Sequence, residues 1–383
     1  MKLLFFTPAL PCDTGQGSAM RAGIALEILA EAFEVIVIHQ DLWGNRSEVM
    51  NYAAVRKFAA DYVRLPATVT PEAIQDLVQN RLCRSSSIAG MYVFRLVSAP
   101  LAIQVAALLG NPDLTAVLDL DDDEYGRAER FVPLREAAGD RKTADQLRGE
   151  LSRLNKLQTI LLGRFSVNLL ASEEECATLA ARHPGRRFLV LPNVVRMPEA
   201  QASVPRDGLL FLGTLDYLPN ADGIEYFCAS ILPLLLSECA GVTTRVVGPN
   251  PPPAVRALGA LPGVTIVGPV KEVGPEYARA RAAIVPLRAG SGTRIKILEA
   301  FSFGTPVVST SAGAAGLRVE NETHLLIADT PEEFARACRR LMSDDELAAR
   351  LARNSLAWLR ETHSLDRVRD VLKPLFAGSA GQN

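Results

Sequence analysis

The chain has no surplus of positive charge. Its 383 residues carry 41 Lys and Arg against 43 Asp and Glu, a formal net charge of −2. A protein that coats nucleic acid needs a basic excess to neutralise phosphates, so no nucleic-acid partner is expected. A local basic pocket for a small anion stays open. Cysteines are few and never paired: Cys12, Cys83, Cys176, Cys228, Cys239 and Cys338 stand singly, and the four histidines are equally dispersed. Zinc spacing is therefore absent, and reduced buried thiols in a cytoplasmic protein are expected rather than a disulfide framework. No run reaches the ~20 apolar residues of a membrane span. Leu161 to Leu170, for example, is interrupted by Arg164 and Asn168. The opening MKLLFFTPALPC imitates a signal peptide, but Pro8 and Pro11 break it and polar, Gly-rich residues follow. It reads as a first buried strand.

What is present is ordinary for a folded protein: 48% hydrophobic and 22% charged residues. At about 150 residues per domain the length suggests two or three domains. Short apolar runs alternate with helix-period segments. Lys2–Thr7, Glu34–His39, Met91–Leu96, Ala116–Leu120, Ser166–Ala171 and Phe188–Leu191 read as strands buried on both faces. Between them Ser18–Ala30 reads as a helix with Ser18 as N-cap. After a Pro-rich polar loop the pattern restarts with Gly208–Leu212, Thr243–Val247, Val264–Val267, Ala282–Pro286, Pro306–Ser309 and His324–Ala328. Ala221–Leu236 and Pro331–Met342 read as helices among them. The fold class is α/β, with two doubly wound, Rossmann-like parallel-sheet domains facing across a cleft. Expected boundaries are 1–192, a linker at 193–206, a second domain at 207–362, and a helix within 363–383 that returns to the first domain before a disordered tail. Ligands of open α/β sheets bind beyond the carboxyl ends of the strands, so the chemistry is sought in the loops that follow them.

The strongest candidate follows the strand Ala282–Pro286. There Gly290-Ser291-Gly292-Thr293 turns into a helix that begins Arg294-Ile295-Lys296. Free N–H groups at a helix start form an anion site, and Gly290 and Gly292 let backbone approach a ligand that a Cβ would block. Arg294 and Lys296 stand where the helix dipole disfavours cations, which makes sense if an anion sits beside them. Glu299, one turn on, can accept from sugar hydroxyls. A plain Gly turn with a solvated, cationic helix start is the alternative.

Residues 290–317, GSGTRIKILEAFSFGTPVVSTSAGAAGL, resemble the donor-site segment of retaining GT-B glycosyltransferases of family four, the "glycosyl transferases group 1". FLGTLDYLPNADGIEYF at 211–227 looks like the opening of their nucleotide-binding domain, VLPNVV at 190–195 like their linker, and TPALPCDTGQGSAMR at 7–21 like the start of their acceptor domain. The resemblance implies that Glu299 holds the ribose, that Gly290, Ser291, Gly292 and Thr293 cradle the diphosphate or donor sugar, and that Arg294 and Lys296 offset leaving-group charge. It also implies that Gly213 and Thr214 admit the distal phosphate and that Val270 lies where the base is gripped. Two departures stand out. Ser291 replaces the first glutamate of the family's pair. The cations after its F-x-G turn are missing, with Asp216 and Asn220 nearby; both features occur in a subgroup with a G-S-G-T-R-x-K-x-L-E loop.

Three further features remain. Gly15, Gln16, Gly17 and Arg21 follow the first strand and are expected to meet the donor phosphate or the acceptor. A dinucleotide site with Asp41 on the ribose is disfavoured, because Ala9–Thr14 separate the glycines from the strand. The acidic run Asp119–Glu124 reads as a metal site, a base or a solvated loop; the family's histidine near this strand end is absent, and Asp121 or Glu124 is the candidate replacement. Arg127–Arg164 is rich in cations interleaved with acids, readable as an ion-paired helical surface or as a dock for anionic lipid. The sequence thus leads to a hexosyl-transferring enzyme using a nucleotide-sugar co-substrate, without cofactor or metal. Its acceptor is a saccharide, lipid-linked or small-molecule hydroxyl, in surface polysaccharide or glycoconjugate synthesis. Its expected place is the cytoplasm, with peripheral contact at the inner membrane face left open. A nucleotide-sugar 2-epimerase of the same fold and a catalytically silent nucleotide-binding partner subunit also stay open.

Overall fold

Continuous apolar runs become parallel strands because only burial on both faces suits them. The computed structural model describes residues 1–13, 17–42, 52–82, 88–111, 114–137, 139–198, 205–239, 241–290 and 294–377. Its first sheet comprises β1 (Lys2–Thr7), β2 (Glu34–Asp41), β3 (Asp61–Pro66), β4 (Ile88–Phe94), β5 (Thr115–Asp121), β6 (Val167–Leu170) and β7 (Phe188–Val190), in the order β3-β2-β1-β4-β5-β6-β7. The second comprises β8 (Asp207–Leu212), β9 (Thr244–Val247), β10 (Val264–Gly268), β11 (Ala280–Val285), β12 (Val307–Ser309) and β13 (Leu326–Ile327), in the order β10-β9-β8-β11-β12-β13. Every ladder is parallel. Strand order reverses between β1 and β4 in one sheet and between β8 and β11 in the other. Those two points are where such sheets bind ligands.

One strand escapes the apolar-run criterion. β3 is an edge strand in which only Val63 is buried, so its sequence DYVRLP alternates with polar residues instead of running apolar. Elsewhere the sequence places the elements within a few residues. Ser18 is a difference of substance: it lies inside the helix Gly17–Ala30, and its hydroxyl donates to Asp121 Oδ2 at 2.9 Å rather than capping.

The first sheet separates two layers of core. Leu4, Phe6, Ile36, Ile38, Met91 and Val93 face one side; Leu3, Phe5, Val35, Val37, Tyr92 and Phe94 face the other. The second layer is completed from far away in sequence, by Val368, Leu372 and Phe376 of the helix Leu365–Ala377. Phe376 fits only because residue 90 is glycine: a Cβ there would lie 2.8 Å from its ring and from Thr115 O.

The chain divides into two units, one of Met1–Gly126, Gly149–Val194 and Leu365–Asn383, the other of Arg127–Arg148 and Val195–Ser364. Residues 127–148, which the sequence assigns to the first domain, therefore belong with the second, where the ring of Phe131 stands edge-on to Tyr217 at 5.8 Å. The expected disordered tail falls on 378–383, outside the described residues. No described helix is long and apolar enough to cross a membrane.

Replacing Phe376 by Ala removes a fully buried ring from a layer that the glycine at 90 cannot refill. The variant should lose about 3–5 kcal/mol, read as an earlier urea-unfolding transition of the first unit.

Candidate functional site

In the second unit the loops after β8 and β11 meet around one ammonium group. Lys296, in the first turn of the helix Ile295–Ser302, donates to Asn220 Oδ1 at 2.7 Å and lies 4.6 Å above the ring of Phe211 on β8. Asn220 in turn donates through Nδ2 to Thr214 O at 2.8 Å, which fixes the turn that ends β8. Gly213 lets both side chains come close, since a Cβ would lie 2.7 Å from Asn220 Nδ2 and 3.0 Å from Lys296 Nζ and would push them aside. Gly248, at φ +154°, is required for a similar reason: its Cβ would fall 1.8 Å from Gly213 O. Among the described residues no side chain caps the first turn of the Ile295–Ser302 helix. Its dipole and its leading N–H groups thus add to the Lys296 charge.

Glu299, one turn further, shares the proton of the Tyr277 hydroxyl, at 3.2 Å from its Oε2, with Lys296 O at 3.1 Å. Its Oε1 has no partner among the described residues. Desolvation, followed by the charge of Arg294, pushes the Lys296 ammonium down to about 7. Desolvation pushes the Glu299 carboxyl up to about 7. The site holds both groups near the point of neutrality.

Arg294 has another position than the one expected of a free cation. It is buried, donates to Ala312 O at 3.2 Å, and its guanidinium lies 2.5 Å from where a Cβ on Gly290 would stand. It braces the turn from beneath. Val270 lies half-buried in the loop after β10, two strands from β8. Ser291, Gly292 and Thr293 fall outside the described residues, as do Gly15 and Gln16.

The first unit treats its charges differently. Arg21 is buried and turned inward: it forms a two-point pair with Asp119 at 2.8 Å and donates to Leu191 O at 2.8 Å and Asn193 Oδ1 at 3.0 Å. Tyr92 donates to the same Asp119 carboxylate. Arg21, expected to meet the donor phosphate or the acceptor, is engaged by these partners within its own unit; burial beside a carboxylate needs such a partner. Gly17 opens the helix that carries it. The acidic run is neither a metal cluster nor a solvated loop. Arg95 reaches Asp122 at 2.8 Å, Glu124 at 3.2 Å and Asp121 at 3.3 Å, while Arg182 reaches Asp123 at 3.0 Å. Among the described residues no three of His, Cys, Asp and Glu group as metal ligands. Asp121 and Arg95 both hold left-handed backbone, at φ +65° and +67°, a strain rare outside glycine and concentrated at functional positions. Asp41, the ribose-type acid, is engaged by Arg64.

Sequence reasoning missed Asn220 as the partner of Lys296, read Ser18 as an N-cap rather than as a partner of Asp121, and missed Tyr277 and Arg95 altogether. The signal for Asn220 was its place shortly after the Gly213 turn; nothing local marked the others.

Residues 206–344 match the family model described as "Glycosyl transferases group 1". A Xenopus tropicalis protein named glycosyltransferase 1 domain-containing protein 1 is 29% identical over 94 residues, 24% of this chain and 27% of that relative. The chain thus aligns with only about a quarter of that relative's length. Among solved structures, sucrose-phosphate synthase from Thermosynechococcus elongatus superposes with a TM-score of 0.73 at 16% identity, over 98% of each chain. Anabaena HepE in complex with UDP-glucose gives 0.70 at 13% identity, over 99% of this chain and 100% of that one. At such identities the likeness establishes the fold: two parallel-sheet α/β domains of the GT-B type.

The two neutralised groups make the stability of the ligand-free protein depend on pH in two opposite limbs. Glu299 binds its proton more tightly folded than unfolded, so its contribution is complete below about 4.5 and lost as pH rises through about 7. Lys296 binds its proton less tightly folded, so its contribution is complete above about 10.5 and lost as pH falls through about 7. Glu299→Gln should abolish the decline between those acid values, and Lys296→Met the rise on the alkaline side. Each limb is worth on the order of 3–5 kcal/mol at most, measured as melting temperature against pH.

Proposed function

We propose that the chain is a glycosyltransferase that moves a sugar from a nucleoside-diphosphate donor to an acceptor hydroxyl, with retention at the anomeric carbon and without a metal ion. The observation that carries this reading is Lys296. It is a cation driven toward neutrality at the switch point of the second sheet, within the segment that matches group 1 glycosyl transferases.

A group in that state is suited to an anion that arrives with the substrate. A diphosphate beside Lys296 would restore its charge. Cleavage of the bond to the sugar would then add negative charge to the same phosphate oxygens. Donors fixed in advance stabilise developing charge best, and here they are the ammonium aligned by Asn220 and the uncapped helix start. Gly213 and Gly290 leave room for the phosphates. Arg294 contributes by holding the turn and by adding positive potential. Glu299, oriented by Tyr277, offers Oε1 to the ribose hydroxyls. In the first unit Asp121, fixed by Ser18 and Arg95, is the candidate to hold the acceptor hydroxyl.

Retention rests on the resemblance of residues 290–317 to retaining enzymes. The HepE structures, described as complexes with UDP and with UDP-glucose, make UDP-glucose the first donor to test. A thermal-shift comparison with GDP, ADP and dTDP sugars would identify the base. The acceptor is proposed to be a saccharide, a lipid-linked saccharide or a small metabolite, in surface polysaccharide or glycoconjugate synthesis.

Lys296→Ala should lower turnover of the accepted donor by about 10²–10³ with unchanged circular dichroism, and added chelator should leave wild-type turnover intact. In the same pair of proteins, calorimetry near pH 8 in two buffers should show proton uptake when the nucleoside diphosphate binds wild type and none in the variant. Turnover near the wild-type level in the variant rejects the role. Glu299→Ala should weaken nucleotide binding by about 1–3 kcal/mol, as loss of a charged hydrogen bond does. An unchanged dissociation constant contradicts the ribose contact.

A further inference from the structure

The helix Arg141–Leu162 changes character along its length. Its first half belongs to a surface where cations meet acids: Arg135 pairs with Asp140 at 3.3 Å, and Arg148 with Asp145 at 2.8 Å and with Glu136. The second half, in the first unit, has no such pairs. Its inward residues, Gln158, Leu161 and Leu162, are buried. Its outward residues Arg153, Lys156, Leu157 and Ile160 recur at helical spacing on one stripe, and Arg164 follows at the helix end. Ile160 is 62% exposed, more than any other large hydrophobic residue described, and Leu157 is 41% exposed.

No acidic side chain among the described residues pairs with Arg153, Lys156 or Arg164. Glu150 is the only acid in residues 149–164. The exposed Arg186 adds a further cation beside the helix end, its guanidinium lying 2.6 Å from where a Cβ on Gly163 would stand. Two bare aliphatic side chains set among unpaired cations are costly in water and serve no packing in the fold.

We propose that this stripe, Arg153, Lys156, Leu157 and Ile160 with Arg164 and Arg186 at its end, rests on an anionic lipid surface. Leu157 and Ile160 enter the headgroup boundary while the cations meet lipid phosphates. Charge and shape together favour lipid as the occupant. The stripe is the convex face of one helix with two aliphatic anchors and no aromatic one, whereas a specific protein interface needs roughly 800 Å² a side and is enriched in aromatic anchors. An anionic membrane needs only a row of apolar side chains flanked by Lys and Arg. The inference is independent of sugar transfer.

The test is flotation of the whole chain with vesicles of phosphatidylcholine containing about 30% phosphatidylglycerol, at about 50 mM salt where surface charge is weakly screened. Wild type should float with these vesicles, fail to float with pure phosphatidylcholine, and be released by high salt. Leu157→Asp with Ile160→Asp should lower partitioning more than about tenfold. Arg153→Glu with Lys156→Glu should do the same, since each basic residue multiplies binding about fivefold. Arg141→Glu with Lys142→Glu, on the first half of the same helix, should leave it unchanged. Thermal melts of all variants check folding. The proposal is overturned if wild type does not float, if folded stripe variants float as well as wild type, or if sedimentation velocity shows a dimer that Ile160→Asp dissolves.

Discussion

One cation without enough water around it governs the second unit. Lys296 could be solvated fully only by leaving the space between the Gly213 turn and the start of its own helix. The helix holds it there. Asn220 supplies a single hydrogen bond, Phe211 supplies the face of a ring, and Arg294 adds a like charge. Burial therefore pushes the ammonium down to about 7. Close packing surrounds it: a Cβ at 248 would collide with Gly213 O, and the Arg294 guanidinium packs against Gly290.

The first unit offers the contrast that makes this reading sharper. It holds more buried charge, yet leaves none of it waiting. Arg21, Asp119 and Tyr92 close on one another and on Leu191 O, and Arg95 gathers three carboxylates. Buried charges paired in this way fix geometry more than they add stability. What they fix is the end of β5, where Asp121 is held in left-handed backbone with its carboxylate against Ser18. One unit thus presents a cation that lacks a partner of opposite charge, and the other an anchored carboxylate.

The two parallel-sheet α/β domains and the strand-to-helix turns were legible in the sequence because both depend on local signals. An apolar run under helices has a single stable arrangement, and a glycine-rich turn between strand and helix has few. That Lys296 and Glu299 lie in one short helix after such a turn follows from the same signal. The partner of Arg21 does not. The spacing of Arg21 from the first strand is equally compatible with facing a ligand and with facing Asp119, and the choice is made by Asn193, which lies 172 residues away. β3 escaped because an edge strand buries one face and so has no apolar run. The grouping of residues 127–148 with the second unit depends on contacts such as Phe131 with Tyr217, which composition does not encode.

The same distinction explains the basic stretch that composition left ambiguous. Interleaved charges over Arg127–Arg164 describe an ion-paired surface and a lipid-facing one equally well, since sequence does not say which acids reach which cations. The fold separates them. Where Glu136, Asp140 and Asp145 are within reach, the arginines are paired. Past Glu150 the helix carries no further acid, and the apolar side chains come to the surface there. Neither change alone would carry weight, because single exposed aliphatic residues are common on soluble domains. Their coincidence on one stripe of one helix is what turns an ordinary surface into one with a preferred environment.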